Sequence, residues 1–131
     1  MIKEFEFLTK PLNEEELYIS KVLVNAFNAM PKGKEHVRTA SFMIERLATL
    51  GIDIKDTRLR KLIQYIRVNN LIFGLCSTSN GYYIASTQQE FYDTLLSLKE
   101  RIEVQTSTFY ALRQQYKLLY ETSPTQTESE S

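Results

Sequence analysis

The segment that most constrains the fold runs from Leu59 to Ser86, LRKLIQYIRVNNLIFGLCSTSNGYYIAS. Its first part repeats apolar residues at the i, i+3, i+4, i+7 spacing of one helix face. Residues 71–76 and 82–85 then follow a strand pattern, and the Asn80-Gly81 dipeptide between them is typical of a tight type I′ hairpin turn. The segment therefore predicts an amphipathic helix that leads directly into a two-stranded hairpin. The apolar face of the helix consists of Leu59, Leu62, Ile63 and Ile66.

The polar residues of this helix are mostly cationic, and we expect them to project away from its apolar face. A cationic helix face suits a DNA major groove, because Arg can bind guanine and Gln can bind adenine through paired hydrogen bonds. The alternative is a solvated charged face on a structural helix. The candidates for groove contacts are Arg58, Arg60, Lys61 and Gln64. The candidates for phosphate contacts, or alternatively for simple solubility charges, are Lys32, Lys34, Arg38, Lys55 and Arg67.

The formal net charge of zero hides an uneven distribution along the chain. Residues 32–67 contain nine Lys or Arg against four acidic residues, a surplus of five. The flanking segments contain seven basic and twelve acidic residues, a deficit of five. Positive potential is therefore expected on the central segment, which is the part that contains the basic helix.

Two further helices are predicted upstream of the basic helix. Asn13 and Glu16 have the spacing of a capping box, so the first helix should begin near Glu14 and end at Pro31-Gly33. Its inward-facing residues are predicted to be Leu17, Val24, Phe27 and Met30. Thr39 is the expected N-cap of the second helix. The buried stripe of the second helix is predicted to contain Phe42, Met43, Ile44, Leu47 and Leu50.

Gly51 is expected to end the second helix, and Asp56 is the expected N-cap of the basic third helix. The order helix, helix, short turn, basic helix, hairpin predicts an α+β, mostly α-helical domain over residues 13–86. Its fold is expected to be a winged helix-turn-helix, three helices followed by a hairpin wing. Residues 1–12 are predicted to form an N-terminal arm or a short strand, because residues 2–8 alternate apolar and charged side chains.

Residues 87–120 have the pattern of one long amphipathic helix with a heptad seam. The seam positions are Phe91, Leu95, Leu98, Ile102, Gln105, Phe109, Leu112, Tyr116 and Leu119. A helix of this length exceeds what a small core can cover, so we expect a homodimer through this seam, parallel or antiparallel. The alternative is a helix that folds back on its own domain in a monomer. Residues 121–131 are polar and acidic, which predicts a disordered tail.

These segments resemble the small winged-helix proteins of bacteriophages and prophages. The resemblance rests on LRKLIQYIRVNN, on a short strand ending in CST, on NGYYIAS and on the heptad helix that follows. These proteins are in turn akin to the winged helix of biotin-repressor-like regulators, and the resemblance implies DNA binding. Related hairpins often carry Lys at the tip, where this chain has Asn80. Thr78 and Asn80 could therefore contact a phosphate by hydrogen bonds, without contributing charge.

Residues that would indicate an enzyme or a metal site are few. His36 has no neighbouring Cys or His, and Cys76 has no His at a recognisable spacing, so Cys76 is expected to be a small buried residue. The chain has only four glycines and no Gly-rich phosphate loop. We therefore expect no enzymatic activity, no cofactor and no metal. Of Tyr82 and Tyr83, one ring should pack in the core and the other should lie outside.

The single cysteine and the absence of a long apolar run predict a protein of a reducing cytoplasm, bacterial or of an infected host cell, without membrane contact. The leading hypothesis is a double-stranded DNA-binding dimer that regulates transcription for a phage or another mobile element. The alternative is a phage-encoded interaction module that binds a host or viral replication or transcription protein.

Overall fold

The computed structural model describes residues 11–121, and these form an α+β, mostly helical structure. The elements are α1 (Glu14–Ala29), a 3-10 turn (Lys34–His36), α2 (Ala40–Ala48), α3 (Asp56–Val68), β1 (Leu75–Thr78), β2 (Gly81–Ile84) and α4 (Gln88–Tyr120). This order confirms the predicted succession of three helices, a hairpin and a long helix. The strand expected at residues 2–8 lies outside the described residues, and so does the tail expected at residues 121–131, apart from Glu121.

Helix α1 begins where its capping box predicts. The Asn13 side chain accepts a hydrogen bond from the Glu16 amide at 2.7 Å, and the Glu16 carboxylate accepts one from the Asn13 amide at 3.1 Å. This reciprocal pair satisfies two amides that a helix start otherwise leaves unpaired. The local sequence is therefore sufficient to fix this helix boundary.

The inward face of α1 differs from the prediction. Ile19, Leu23 and Phe27 are fully buried, whereas Leu17 is 38% exposed. Glu16, not Leu17, occupies the inward position of the first turn. The prediction for Leu17 is therefore wrong, because a contact between α1 and α3 selects Glu16 for burial. The predicted inward residues Val24 and Met30 are only partly buried and lie at the edge of the core.

Helix α2 is capped as predicted, since the Thr39 hydroxyl accepts a hydrogen bond from the Phe42 amide at 3.0 Å. Met43 and Leu47 enter the core. Phe42 and Leu50 were expected on the buried stripe, but Leu50 is 65% exposed and Phe42 is also exposed. The helix ends at Ala48, so Leu50 lies beyond it, and a helix of nine residues presents only a narrow face to the core, which leaves Phe42 in solvent. Ile44 is partly buried against the core.

Helix α3 supplies the centre of the core. The four predicted apolar residues are all buried, and each contributes about 1.5–3 kcal/mol of burial free energy. The N-cap is Lys55 and makes no side-chain capping bond, so the prediction of Asp56 as N-cap is wrong by one residue. The Asp56 carboxylate instead accepts a hydrogen bond from Arg60 within the helix, at 3.2 Å. The confirmed core residues are Leu59, Leu62, Ile63 and Ile66.

The hairpin pairs β1 with β2 in antiparallel register, with Thr78 opposite Gly81 at its closed end. Its two-residue loop is therefore Ser79-Asn80, and Gly81 belongs to β2. A type I′ turn needs positive φ at both central residues. Among the described residues, Asn70 is the only non-glycine with positive φ. The prediction of a type I′ turn centred on Asn80-Gly81 is wrong. Gly81 lies in β2 and is needed there for a close contact with another backbone segment.

That contact joins β2 to the segment before α2. The Arg38 amide donates to the Tyr82 carbonyl at 2.9 Å, and the Tyr82 amide donates to the Arg38 carbonyl at 2.8 Å. Gly81, at φ 127°, lies directly against this bridge, and a Cβ there would overlap the Arg38 carbonyl oxygen and lie 2.6 Å from its carbon. Only glycine permits such a close approach of two backbones. The bridge adds a third, very short strand position to the hairpin.

Helix α4 extends over 33 residues, close to the predicted range of 87–120. At 1.5 Å per residue it is about 50 Å long. None of its residues is buried in the single chain. The described chain divides into two compact units, one up to Thr94 and one from Leu95 onwards. The second unit therefore consists, among the described residues, of a helix without a core of its own.

Candidate nucleic-acid interface

The cationic residues of α3 divide into two groups that lie on different sides of its buried stripe. Arg58 and Lys61 face α1, where they meet acidic side chains. Arg60, Gln64 and Arg67 follow each other at i, i+4 and i+7 and lie on one helix face. Sequence periodicity separates polar from apolar positions, but it does not separate these two polar sides.

Lys61 forms an ion pair inside the protein. Its ammonium nitrogen lies 3.1 and 3.3 Å from the two carboxylate oxygens of Glu16, and both side chains are about 5% exposed or less. The prediction that Lys61 projects from the helix to contact a DNA groove is wrong. A buried ammonium requires a partner of opposite charge, and α1 supplies it from a position 45 residues earlier in the sequence.

Arg58 extends the same cluster towards the surface. Its guanidinium lies 2.9 Å from a Glu15 carboxylate oxygen and 3.4 Å from Glu16, and its side chain is 24% exposed. Two cations of the central segment are thus neutralised by acids from the N-terminal flank. The positive surplus of five inferred from the sequence is therefore reduced by two at the protein surface.

This cluster lowers the pKa of the Glu16 carboxyl group. Burial alone would raise its pKa, but the hydrogen bond from the Asn13 amide and the ion pair with Lys61 more than offset burial. The Arg58 charge adds to the same effect, so the pKa lies below its ordinary value. Glu16 is therefore ionised at neutral pH and holds both basic side chains against α1.

Arg60 and Gln64 remain on the exposed side of α3, one turn apart. The Arg60 side chain is 44% exposed and pairs with Asp56 on its own helix at 3.2 Å. An exposed pair of this kind is worth less than about 1 kcal/mol, so the guanidinium can exchange it for a phosphate or a base edge. Of the four residues predicted to contact a groove, these two have an accessible position.

Arg67 connects α3 with the hairpin. Its Nε donates a hydrogen bond to the Leu75 carbonyl at 3.0 Å, and its guanidinium carbon lies 6.0 Å from the centre of the Tyr82 ring. Arg67 therefore positions β1 beside α3, in addition to carrying charge.

Tyr82 lies at the junction of α3 and the hairpin. Burial raises the pKa of its hydroxyl and the Asp56 charge adds to this, while the charges of Arg67 and Arg60 act in the opposite direction. Tyr83 is buried as expected of one ring, but Tyr82 is partly buried and packs against the core, so the prediction that the other ring lies outside is wrong. Sequence analysis did not assign Tyr82 to the candidate interface. The alternation of faces was visible, but the neighbouring arginines come from a separate element.

Arg38 is placed next to the hairpin by its backbone bridge to Tyr82. Its Nη1 donates to the His36 carbonyl at 3.2 Å, and its guanidinium lies 5.4 Å above the Phe42 ring. The contact to the ring is within the range of a cation–π interaction. Sequence analysis gave no indication of this bridge, because one paired residue leaves no strand-length pattern.

The remaining predicted contacts are on the periphery of the domain. Lys34 and Lys55 have exposed side chains, and the Lys34 backbone amide donates to Glu90 at 3.2 Å. At the hairpin tip, the Thr78 hydroxyl accepts a hydrogen bond from the Asn80 amide at 3.0 Å. Ser79 and Asn80 are exposed, so the tip offers hydroxyl and amide groups without charge. Lys32 is exposed as well.

The other chemistry-bearing residues are not gathered into a site. Cys76 is buried and its thiol is free, which confirms the prediction of a small buried residue. His36 lies 3.4 Å from Glu35. Within residues 11–121, no cluster of three or more His, Cys, Asp or Glu side chains could hold a metal ion. No helix in this part of the chain has the length and apolarity needed to cross a membrane.

Comparison of the chain with protein-family models, curated proteins and solved structures found no match. The resemblance to phage winged-helix proteins therefore stays a prediction from the residues quoted above.

Proposed function

We propose that this chain is a winged-helix protein that binds double-stranded DNA as a dimer and regulates transcription for a phage or another mobile element. The observation that carries the proposal is the exposed side of α3, where Arg60 and Gln64 lie one turn apart on a helix that leads into a hairpin. The element order and the bridge between Arg38 and β2 agree with a small winged-helix sheet.

In this proposal α3 enters the major groove with its exposed side. Arg60 would bind guanine or a phosphate, and Gln64 would bind adenine. Arg67 and Tyr82 hold the hairpin beside the helix, so the hairpin can follow the DNA backbone. The uncharged tip at Ser79-Asn80 would contribute hydrogen bonds to phosphate, with little electrostatic attraction. Most of the affinity would then come from α3.

Replacing Arg60 with glutamine should weaken binding to a mixed-sequence DNA duplex by about tenfold or more, because one charged contact to base or phosphate is lost. The salt dependence of binding should become shallower by about one released counterion if the contact is to phosphate. Fluorescence anisotropy at two salt concentrations measures both quantities. The fold should be retained, since the Arg60 side chain is 44% exposed and its pair with Asp56 lies at the surface.

The matched control is Lys21→Gln, which removes the same charge from an exposed position on α1. We expect this variant to bind DNA within about twofold of the native chain, because its charge is not on the exposed side of α3. Equal losses of DNA affinity in the two variants would mean that DNA is attracted by the overall charge of the protein and not by a specific contact on α3. Absence of DNA binding by the native chain at low salt would contradict the proposed function.

Dimerisation through α4 is the second part of the proposal. Its eight apolar seam residues are 41–70% exposed in the single chain, although they repeat with the heptad spacing of a coiled coil. A second copy would cover this seam. Two DNA-binding units on a two-fold axis would read half-sites about one helical turn apart or a multiple of it. A palindromic target is therefore expected.

Light scattering tests this dimer. The native chain should have a mass near twice 15.3 kDa, and the double variant Leu98→Gln, Leu112→Gln should be monomeric, because two seam layers lose their apolar contacts. The control is Val104→Gln, Leu118→Gln, which changes two equally exposed apolar residues outside the seam. The control should remain dimeric. A monomeric native chain would contradict the dimer and favour a helix that folds back or binds another protein.

One observation favours the alternative of a protein-interaction module. A largely apolar cleft of about 360 Å³ lies between α1 and α2, and the exposed residues Phe42 and Leu50 contribute to it. Arg38 and Arg46 are the charged residues that line it. A partner protein with an apolar segment would fit this surface. Binding of a host or viral replication or transcription protein that is insensitive to salt and is lost in Leu50→Gln would support this function.

A further inference from the structure

We infer that two copies of α4 pair in parallel and in register, with Gln105 of one copy facing Gln105 of the second. This inference rests on the dimer proposed above and specifies its partner face and its direction. It follows from two properties of α4, the residue types at alternate seam positions and the single polar seam residue, and the basic side chains beside the seam are compatible with it.

The seam consists of two alternating sets of heptad positions, a and d. The a set contains Leu95, Ile102, Phe109 and Tyr116, and the d set contains Phe91, Leu98, Gln105, Leu112 and Leu119. Three of the five d residues are leucine, which is the d residue of parallel two-stranded coiled coils. All the apolar members are exposed in the single chain, so each can contact a second helix.

Gln105 decides between the two directions. In a parallel, in-register pair each d residue faces its own counterpart, so the two Gln105 amides can donate and accept hydrogen bonds across the interface. In an antiparallel pair a d residue faces an a residue of the second helix. Every antiparallel register that keeps the seams together then places Gln105 against Leu95, Ile102, Phe109 or Tyr116. The first three offer no hydrogen-bonding group, so the buried amide is left unpaired.

The basic residues beside the seam are compatible with the parallel pair. Lys99 and Arg113 occupy e positions, and Arg101 occupies a g position. An antiparallel pair with Leu98 opposite Tyr116 would bring Lys99 of one helix near Arg113 of the other, whereas the longer antiparallel overlap with Leu98 opposite Phe109 would place Lys99 near Thr106. In the parallel pair a g residue faces the next e residue, so Arg101 faces Thr106 and Arg113 faces Thr108. No like charges are then opposed.

The competing apolar faces of α4 do not form a comparable seam. Val104 and Leu118 lie at c positions, and Tyr110 lies at a b position; the c and b rows also contain Ser97, Glu103 and Lys117. The b row alternates apolar with charged residues, and the c row has only two large apolar residues, Val104 and Leu118, beside Ser97 and Ala111. The heptad seam is interrupted once along its length, by Gln105, and Gln105 is complementary to itself.

Disulfide mapping tests the direction in one variant of the full chain. Leu98→Cys and Tyr116→Cys are introduced together with Cys76→Ala, which removes the only native thiol. The protein is oxidised in a glutathione buffer and digested with trypsin, which cleaves at Lys99 and thereby separates the two positions. Mass spectrometry then identifies which positions are linked. Circular dichroism confirms that the helices persist.

A parallel, in-register pair links position 98 to 98 and position 116 to 116, and we expect these links to exceed the mixed link by at least about tenfold. Predominance of the link between 98 and 116, or a dimer that forms neither the 98–98 nor the 116–116 link, overturns the parallel arrangement but leaves the dimer intact. A monomeric mass for the native chain overturns the dimer itself. A Ser107→Cys control in the same Cys76→Ala background lies on the outer side of the helix and should form no link within the dimer.

A further variant isolates the role of Gln105. Adding Gln105→Leu to the double-cysteine chain removes the polar layer and restores an unbroken apolar seam. We expect a more stable dimer in which the mixed link between 98 and 116 rises by at least about threefold. A polar seam residue specifies the direction of pairing but lowers the stability of the dimer, so its removal should relax the first and raise the second. An unchanged link pattern would show that Gln105 does not set the direction.

Discussion

Replacing Gly81 with alanine should destabilise the folded domain by about 3 kcal/mol or more, which is among the larger effects expected of a single methyl group. Two causes act together. The φ of 127° at this residue is strained for any L side chain, and the added Cβ would overlap the backbone of Arg38. Because the Arg38 backbone cannot rotate away as a side chain can, the bridge to Tyr82 has to break. Urea unfolding followed by circular dichroism measures the loss.

Gly51 supplies the matched control for this prediction. Its φ is also positive, at 80°, but no atom lies within 4 Å of the position that a Cβ would take. Gly51→Ala should therefore cost only the conformational strain, about 1 kcal/mol. The difference in unfolding free energy between the two variants measures the cost of placing a Cβ against the Arg38 backbone at Gly81. Equal losses would show that the bridge contributes nothing to stability.

The second large effect concerns the buried ion pair between α1 and α3. Glu16→Gln removes the charge that faces Lys61 and leaves its ammonium group buried without that partner. We expect a loss of about 3 kcal/mol in the free energy of unfolding, as when one member of a buried pair is removed. Glu15→Gln is the control, since Glu15 is an exposed partner of Arg58, and should cost less than about 1 kcal/mol.

The double variant Glu16→Gln, Lys61→Met tests whether the stability loss in Glu16→Gln comes from the charge of Lys61 left without its partner. It removes both charges while keeping the side-chain volumes similar, so it should recover at least half of the stability lost in the single variant. No recovery would mean that Glu16 stabilises the fold through a contact other than Lys61, such as its pair with Arg58.

The same pair should make stability depend on pH. The pKa of Glu16 is lowered in the folded state, so its stabilising contribution is complete above the unfolded-state pKa of about 4.3. The contribution is lost as the pH falls through the lower, folded-state value. The native chain should therefore lose stability in this acidic range, and Glu16→Gln should lose less. Parallel pH profiles for the two proteins would contradict this assignment.

Features set by neighbouring residues could be predicted from the sequence. The capping box at Asn13, the Thr39 cap and the buried stripe of α3 depend on spacings of at most seven residues, and the structure confirms all three. The long extent of α4 was equally visible, because its heptad pattern continues from one end to the other. The DNA-binding and dimer interpretations of these elements stay predictions with the tests described above.

Features set by contacts between distant residues could not be predicted. The inward turn of Glu16 in place of Leu17 depends on Lys61, and the true hairpin loop depends on the approach of Gly81 to Arg38. In both cases the local sequence was compatible with two structures, one with each candidate inward residue or each candidate hairpin loop. Long-range packing selected one of them.

The candidate DNA-binding surface shows the same division. The sequence by itself determined that α3 is amphipathic and basic, because side-chain chemistry and a 3.6-residue period suffice for that. Only the tertiary structure decided which basic residues are available. Packing of α1 against one side of α3 placed Glu15 and Glu16 beside Arg58 and Lys61, and it left Arg60 and Gln64 exposed. Charge on a helix is local information, whereas its neutralisation depends on which other element lies against it.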